Sequence, residues 1–77
     1  MSDKLPRITA RDIIRVLKKQ DFFLSRQSGS HKIYRRVQGL RVTVPYHSGK
    51  ILHPKILQSI LKDADIDIEH LKILLKK

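Results

Sequence analysis

Residues 22–45 read FFLSRQSGSHKIYRRVQGLRVTVP and contain three extended segments separated by two turn signals. Ser28-Gly29 predicts the first turn, and Gln38-Gly39 is typical of a short hairpin turn. The predicted strands are one that opens with Phe22-Phe23-Leu24, one from His31 to Val37, and one formed by Arg41-Val42-Thr43-Val44. Pro45 ends the last strand because proline cannot donate to a strand ladder. The stretch therefore predicts a three-stranded antiparallel sheet.

A helix is predicted before the sheet. Thr9-Ala10-Arg11-Asp12 resembles a capping box, with Asp in the place of the usual Glu. Ile8 and Ile13 stand at the two positions of a hydrophobic staple. An apolar stripe at helical spacing follows, formed by Ile13, Val16 and Leu17. We expect this helix to end near Gln20-Asp21.

Two helices are predicted after the sheet, beyond the loop 46–50. The first starts near Pro54, and its predicted buried stripe is Ile56, Leu57, Ile60 and Leu61. Asp63-Ala64-Asp65 interrupts it, and Asp67 can cap a last helix. That helix is expected to bury Ile68, Leu71, Leu74 and Leu75. The predicted class is α+β, with the order α-β-β-β-α plus a C-terminal helix, and helices on one sheet face leave the other face open.

The composition limits what kind of protein this can be. A length of 77 residues predicts one domain over residues 1–77, too small for a Rossmann domain or a β/α barrel. Cysteine is absent, which excludes disulfides and thiolate metal sites and fits a reducing cytosol. No apolar run approaches the roughly 20 residues that cross a bilayer. We therefore expect a soluble, cytoplasmic protein that uses no membrane.

Positive charge dominates the chain, with a formal net charge of +10. Residues 1–62 hold 14 basic and 3 acidic side chains, whereas residues 63–77 hold 3 and 4. A basic body favours a polyanion as the partner, and nucleic acid is the commonest one inside cells. An acidic protein partner is the alternative, and one surface can serve both.

His31 is the most informative of four histidines because it follows a Ser-Gly-Ser turn and precedes the cations Lys32, Arg35 and Arg36. An imidazole near its pKa can move the protons that RNA cleavage requires. A packing or hydrogen-bonding role for this strand histidine is the competing interpretation. Strand alternation leaves the choice open: His31 points outward if Tyr34 packs in the core, and inward if Ile33 does.

The other histidines carry weaker signals. His47 and Lys50 share a glycine-containing loop that could contact phosphate or could be plain surface. His53 precedes a helix and suits a structural role, and His70 suits the surface. The four histidines show no H-x-H or H-x-x-x-H spacing, so we predict no metal site and expect no cofactor.

Several of these segments resemble the HicA toxin family, the small mRNA interferases of HicA–HicB toxin–antitoxin pairs. The resemblance extends from the first helix to about Ile66. It rests on Gly29-Ser30-His31, on Val42-Thr43-Val44-Pro45 with His47, and on Lys50 and Leu52 ahead of Leu57, Ile60, Leu61 and Lys62. Residues 8–66 would form the shared fold, and residues 67–76 a C-terminal helix.

The resemblance implies a double-stranded-RNA-binding-domain-like fold and metal-independent cleavage of mRNA that blocks translation. The family's histidine corresponds to His31, and a HicB-like antitoxin would cover it. Lys32, Arg35, Arg36, His47 and Lys50 would then bind RNA. A non-catalytic RNA-binding module of the same fold, or a basic partner of an acidic protein, is the alternative function.

The chain departs from the family's pattern at three places. Lys55-Ile56 stands where many members have Gly-Thr, and Asp21 and Asp65 stand where glycine is common. None of these changes touches His31.

Overall fold

The structure is a computed structural model, and it describes residues 5–76. Its elements are α1 (Ala10–Lys19), β1 (Phe23–Ser28), β2 (His31–Arg35), β3 (Arg41–Pro45), α2 (Pro54–Ala64) and α3 (Ile68–Leu75). The fold is α+β, and the predicted order of α-β-β-β-α plus a C-terminal helix is confirmed.

The capping box at the start of α1 is confirmed. The Thr9 hydroxyl accepts a hydrogen bond from the Asp12 amide at 3.2 Å, and the Asp12 carboxylate accepts one from the Thr9 amide at 3.1 Å. Two amides that the first turn leaves without helical partners are thereby satisfied. Ile13 and Leu17 on the apolar stripe are fully buried.

The three strands form one antiparallel sheet in the order β1-β2-β3. Phe22 was predicted to open β1, but the strand begins at Phe23. Phe22 lies buried just before the strand, and its amide donates to the Leu17 carbonyl. The prediction that β2 reaches Val37 is wrong. The Arg36 amide donates to the Leu40 carbonyl and closes the turn early, which leaves Val37 89% exposed.

A β-bulge in β1 decides which side chains share a sheet face. Leu24 pairs with Tyr34, whereas Arg26 pairs with Ile33, so the register shifts between them. Residues two apart on a regular strand share a face, and one extra residue reverses that relation. Arg26 therefore lies on the face opposite to Leu24, together with Ile33.

The core lies between the helices and one face of the sheet. Its fully buried members include Val42 and Val44 of β3, and α1 and α2 both contact that strand. All six residues of β1 are exposed, because the helices pack mainly on β3, and β1 lies at the other edge of the sheet.

The predicted stripe of α2 is wrong at its first member. Leu57, Ile60 and Leu61 are buried, but Ile56 is 39% exposed because it lies one position off the face that packs on β3. In α3 only Leu71 is fully buried, and the three other residues predicted to be buried are partly covered (Ile68, Leu74 and Leu75). None of the helices within residues 5–76 is long and apolar enough to cross a membrane.

Two of the departures from the family's pattern fall on unusual backbone. Asp21 has a φ of 68° and Asp65 a φ of 59°, and both lie in the left-handed region that glycine adopts most easily. The chain keeps these backbone conformations without glycine.

Candidate functional site

His31 lies on the open face of the sheet. Tyr34 is 2% exposed and packs in the core, so alternation along β2 places His31, Ile33 and Arg35 on the other face. His31 itself is exposed. The structure thus resolves the alternative that the sequence left open, and the ring is accessible to a ligand.

The neighbouring strands add two arginines to this face that sequence reasoning missed. Arg26 pairs with Ile33 through the bulged register, and Arg41 pairs directly with Arg35. Cross-strand partners share a face, so Arg26, Arg35 and Arg41 lie on the same side as His31. We call this set, with His31, the basic sheet face. Alternation along β3 is enough to put Arg41 on the face opposite to the buried Val42 and Val44. Its pairing with Arg35, however, depends on the register between β2 and β3.

No carboxylate balances these cations from within the sheet or its connections. Residues 22–62 contain no Asp or Glu. Arg35 and Arg41 lie directly opposite each other on neighbouring strands. Two like charges in such a pair repel each other and destabilise a sheet. A bound anion would relieve that repulsion, so the basic sheet face is suited to a polyanion.

Two of the cations predicted to accompany His31 lie elsewhere. The Lys32 ammonium sits 4.2 Å from the centroid of the Tyr46 ring, on the opposite side of β2 from His31. The Arg36 guanidinium lies 5.3 Å from the centroid of the Phe22 ring, and its buried Nε has no hydrogen-bond partner. Of the three cations predicted around His31, the structure brings only Arg35 onto its face.

The loop after β3 returns to the same end of the sheet as His31. His31 pairs with Pro45, and the Tyr46 amide donates to the Ser30 carbonyl. His47 and Lys50 follow at once and are exposed. The fold therefore places both predicted loop residues at the end of the sheet where His31 lies.

The first turn of α1 also reaches this loop. A cavity of 330 Å³ is lined by Arg11 and Asp12 on one side and by residues 46–49 on the other. Arg11 is exposed, so it adds a cation beside His47 that sequence reasoning did not include.

The two remaining histidines have structural surroundings. His53 is the N-cap of α2, and its Nδ1 accepts a hydrogen bond from the Lys55 amide at 3.1 Å. His70 is exposed on α3, where its backbone amide donates to the Asp67 carboxylate at 2.7 Å. The N-cap role of His53 and the exposure of His70 agree with the prediction.

No metal-binding group of three or more His, Cys, Asp or Glu side chains occurs among residues 5–76. A cavity of 510 Å³ lies beside α2 and the start of α3, and none of its lining residues comes from the sheet or the loop 46–50. The site itself offers two exposed imidazoles, His31 on the basic sheet face and His47 in the adjoining loop, among cations.

Comparison with known proteins gives one family. The model of the HicA toxin of bacterial toxin–antitoxin pairs matches residues 10–66, which include the basic sheet face and α2. Among curated proteins, no match was found.

Proposed function

Since the chain belongs to the HicA toxin family, we propose that it is an endoribonuclease that cleaves mRNA without a metal ion, with His31 as the acid–base residue. Family membership makes it the toxin of a toxin–antitoxin pair. The observation that carries the proposal is the exposure of His31 on the open sheet face, among three arginines and with no carboxylate from residues 22–62.

The reaction we propose needs two proton transfers. The ribose 2′-oxygen loses its proton and bonds to phosphorus, the bond from phosphorus to the 5′-oxygen breaks, and the leaving 5′-oxygen takes up a proton. The products are a 2′,3′-cyclic phosphate and a 5′-hydroxyl, so the step consumes no water. An imidazole can accept the first proton or supply the second.

Phosphate binding is assigned to the cations around His31. Arg35 lies on its face, with Arg26 and Arg41 beside it, and arginine binds phosphate oxygens through two parallel hydrogen bonds. His47 and Lys50 extend the path of the RNA backbone beyond the end of β3. Lys32 and Arg36 each pack on an aromatic ring, and we assign them a supporting role rather than direct contact with the phosphate at His31.

The proposed protein partner is a HicB-like antitoxin. The proposed location is the cytoplasm, where the mRNA substrate is found. Such a partner would block cleavage by covering the basic sheet face. An antitoxin surface rich in Asp and Glu would match a toxin of net charge +10.

The test compares His31→Ala with wild type in a cleavage assay on single-stranded RNA. His70→Ala is the matched control, because His70 is an exposed histidine on a helix outside the site. We expect His31→Ala to lose about 10²- to 10⁴-fold in cleavage rate while still binding RNA, and His70→Ala to behave as wild type. We also expect EDTA to leave the rate unchanged.

Three results would contradict the proposal. Full activity of His31→Ala would remove the histidine from the reaction, and loss of activity in EDTA that a divalent ion restores would require a metal. If wild type and His31→Ala both bind RNA and neither cleaves it, the protein is an RNA-binding module instead.

A further inference from the structure

An apolar groove adjoins the end of the sheet where His31 lies. It has a volume of 240 Å³ and is lined by residues 50–53 together with Pro45, His47 and Ile56. Pro45 is also the cross-strand partner of His31. One residue therefore belongs both to the groove and to the strand position opposite the proposed acid–base residue.

The walls of the groove are exposed aliphatic side chains. Ile51 is 48% exposed and Ile56 39% exposed, although both are large apolar residues. Apolar walls with a few polar groups beside them are the usual lining of small-ligand sites. The volume lies below the roughly 300–1,000 Å³ of sites for drug-sized ligands, so it suits one flat ring system.

The backbone beneath these walls is held in place. Ile51 forms a β-bridge with Thr9, and the Leu52 amide donates to the Ile8 carbonyl at 2.8 Å. The Leu57 amide donates to the His53 carbonyl at 3.0 Å and starts α2 beside the groove. A groove formed on fixed backbone is ready to bind without a cost of ordering.

The rim offers hydrogen-bond donors. His53 Nδ1 is occupied by the Lys55 amide, so the neutral ring carries its proton on Nε2 and can donate it to a ligand. Lys50 has only donors and a positive charge. Apolar walls with donors at the rim resemble the way proteins hold an unstacked nucleobase, between apolar side chains and with its edge hydrogen-bonded.

We propose that this groove binds one unpaired nucleobase of the RNA, next to the phosphate at His31, and so sets a base preference at one position near the cleaved bond. The inference rests on the proposed function for its ligand. Charge complementarity supports RNA as the occupant, since Lys50 and the basic sheet face would hold the phosphates on either side of the base.

The experiment uses a random-sequence RNA library and maps the bonds that each protein cuts. Ile56→Ala removes one wall, and Ile56→Trp fills the groove. Ile73→Ala and Ile73→Trp are the matched controls, because Ile73 is 59% exposed on α3 and lies outside the groove. At one RNA position near the cleaved bond, we expect the ratio of cleavage between the preferred base and the others to fall about tenfold in both Ile56 variants. The same ratio should stay unchanged in the Ile73 controls. His53→Ala should weaken the same preference.

A second measurement does not depend on cleavage. A series of oligonucleotides with 2-aminopurine at each position in turn is titrated with His31→Ala and with the double variant His31→Ala, Ile56→Trp. We expect a fluorescence change at one position of the series with the single variant and no such change with the double variant. If both proteins give the same change, or if the Ile56 variants cut the library as wild type does, the groove holds no base. If wild type cuts nothing but the fluorescence arms differ, the nuclease proposal fails while the base site stands.

Discussion

At the residue scale, one side chain of β2 determines where its neighbour points. Tyr34 fills the core, and the strand's alternation then turns His31 to the open face. The two residues thus divide the strand between stability and the proposed chemistry.

Burial of Tyr34 gives a prediction about stability at high pH. Burial raises the pKa of the Tyr34 hydroxyl above its ordinary value of 10.0, and charge on Tyr46 raises that pKa further. Above pH 10 the unfolded chain releases a proton that the folded chain retains, so the free energy of unfolding falls as pH rises through the folded pKa. Below pH 9 the Tyr34 hydroxyl keeps its proton in both the folded and the unfolded chain, so its contribution to the free energy of unfolding does not vary with pH.

We expect Tyr34→Phe to fold at neutral pH and to lose less stability than wild type between pH 9 and 11. Urea unfolding at a series of pH values measures this. Tyr46→Phe is the control and should keep most of the alkaline loss, because burial is the larger cause at Tyr34. Parallel curves for wild type and Tyr34→Phe would show that this hydroxyl does not titrate differently in the folded state.

At the scale of elements, the helix ends follow local chemistry closely. Thr9 with Asp12, His53 with Lys55, and Asp67 with His70 each join a side chain at a helix start to a nearby backbone amide. The ends at Asp21 and Asp65 follow backbone geometry instead, since each residue takes a left-handed φ. Glycine costs less than Asp in that conformation.

Asp65→Gly should therefore stabilise the fold by about 0.5 to 1 kcal/mol, since relief of the left-handed strain exceeds the entropy cost of glycine. The matched control is Asp63→Gly, two residues earlier within α2, where helical φ makes glycine unfavourable. Chemical denaturation of the three proteins compares them. A loss of stability in both variants would mean that the Asp65 side chain contributes more than its backbone strain costs.

At the scale of the whole molecule, α3 completes the core although it lies beyond the residues that match the family model. Leu71 is fully buried, and the Lys19 ammonium donates to the Leu74 carbonyl at 2.7 Å, which joins α1 to the end of α3. In a chain of 77 residues, one such side chain is a large share of the core.

We expect Leu71→Ala to destabilise the protein by about 2–5 kcal/mol, the usual cost of such a cavity. Ile73→Ala on the same helix removes a similar side chain from an exposed position and should change stability by less than about 0.5 kcal/mol. Thermal and urea unfolding distinguish them. Equal stability of the two variants would mean that α3 does not pack on the core in solution.

The net charge of +10 also acts at this scale, because a cationic surface releases counterions when it binds RNA. Lys50→Ala should weaken RNA binding and lower the slope of log affinity against log salt by about 1. Lys72→Ala on α3 is the control, exposed and outside the site. Binding curves from about 0.05 to 0.2 M salt measure the slope, and an unchanged slope for Lys50→Ala would remove Lys50 from the RNA surface.

The sequence by itself determined the features that depend on neighbouring residues. The capping box at Thr9, the start of α2 at Pro54, the end of β3 at Pro45 and the order of the elements all follow from local backbone chemistry. Each can be read from a few adjacent positions. The resemblance carried by Gly29-Ser30-His31, by Val42-Thr43-Val44-Pro45 with His47 and by the residues of the following helix together also identified the family correctly.

Only the tertiary structure decided the direction of His31, the exposure of Ile56 and the place of Arg26 on the basic sheet face. Each depends on contacts between segments distant in the chain: the packing of Tyr34 in the core, the packing of α2 on β3, and the bulge that shifts the pairing of β1 with β2. A register shift of one residue moves every following side chain of the strand to the opposite face of the sheet. No local sequence pattern in β1 marks that shift.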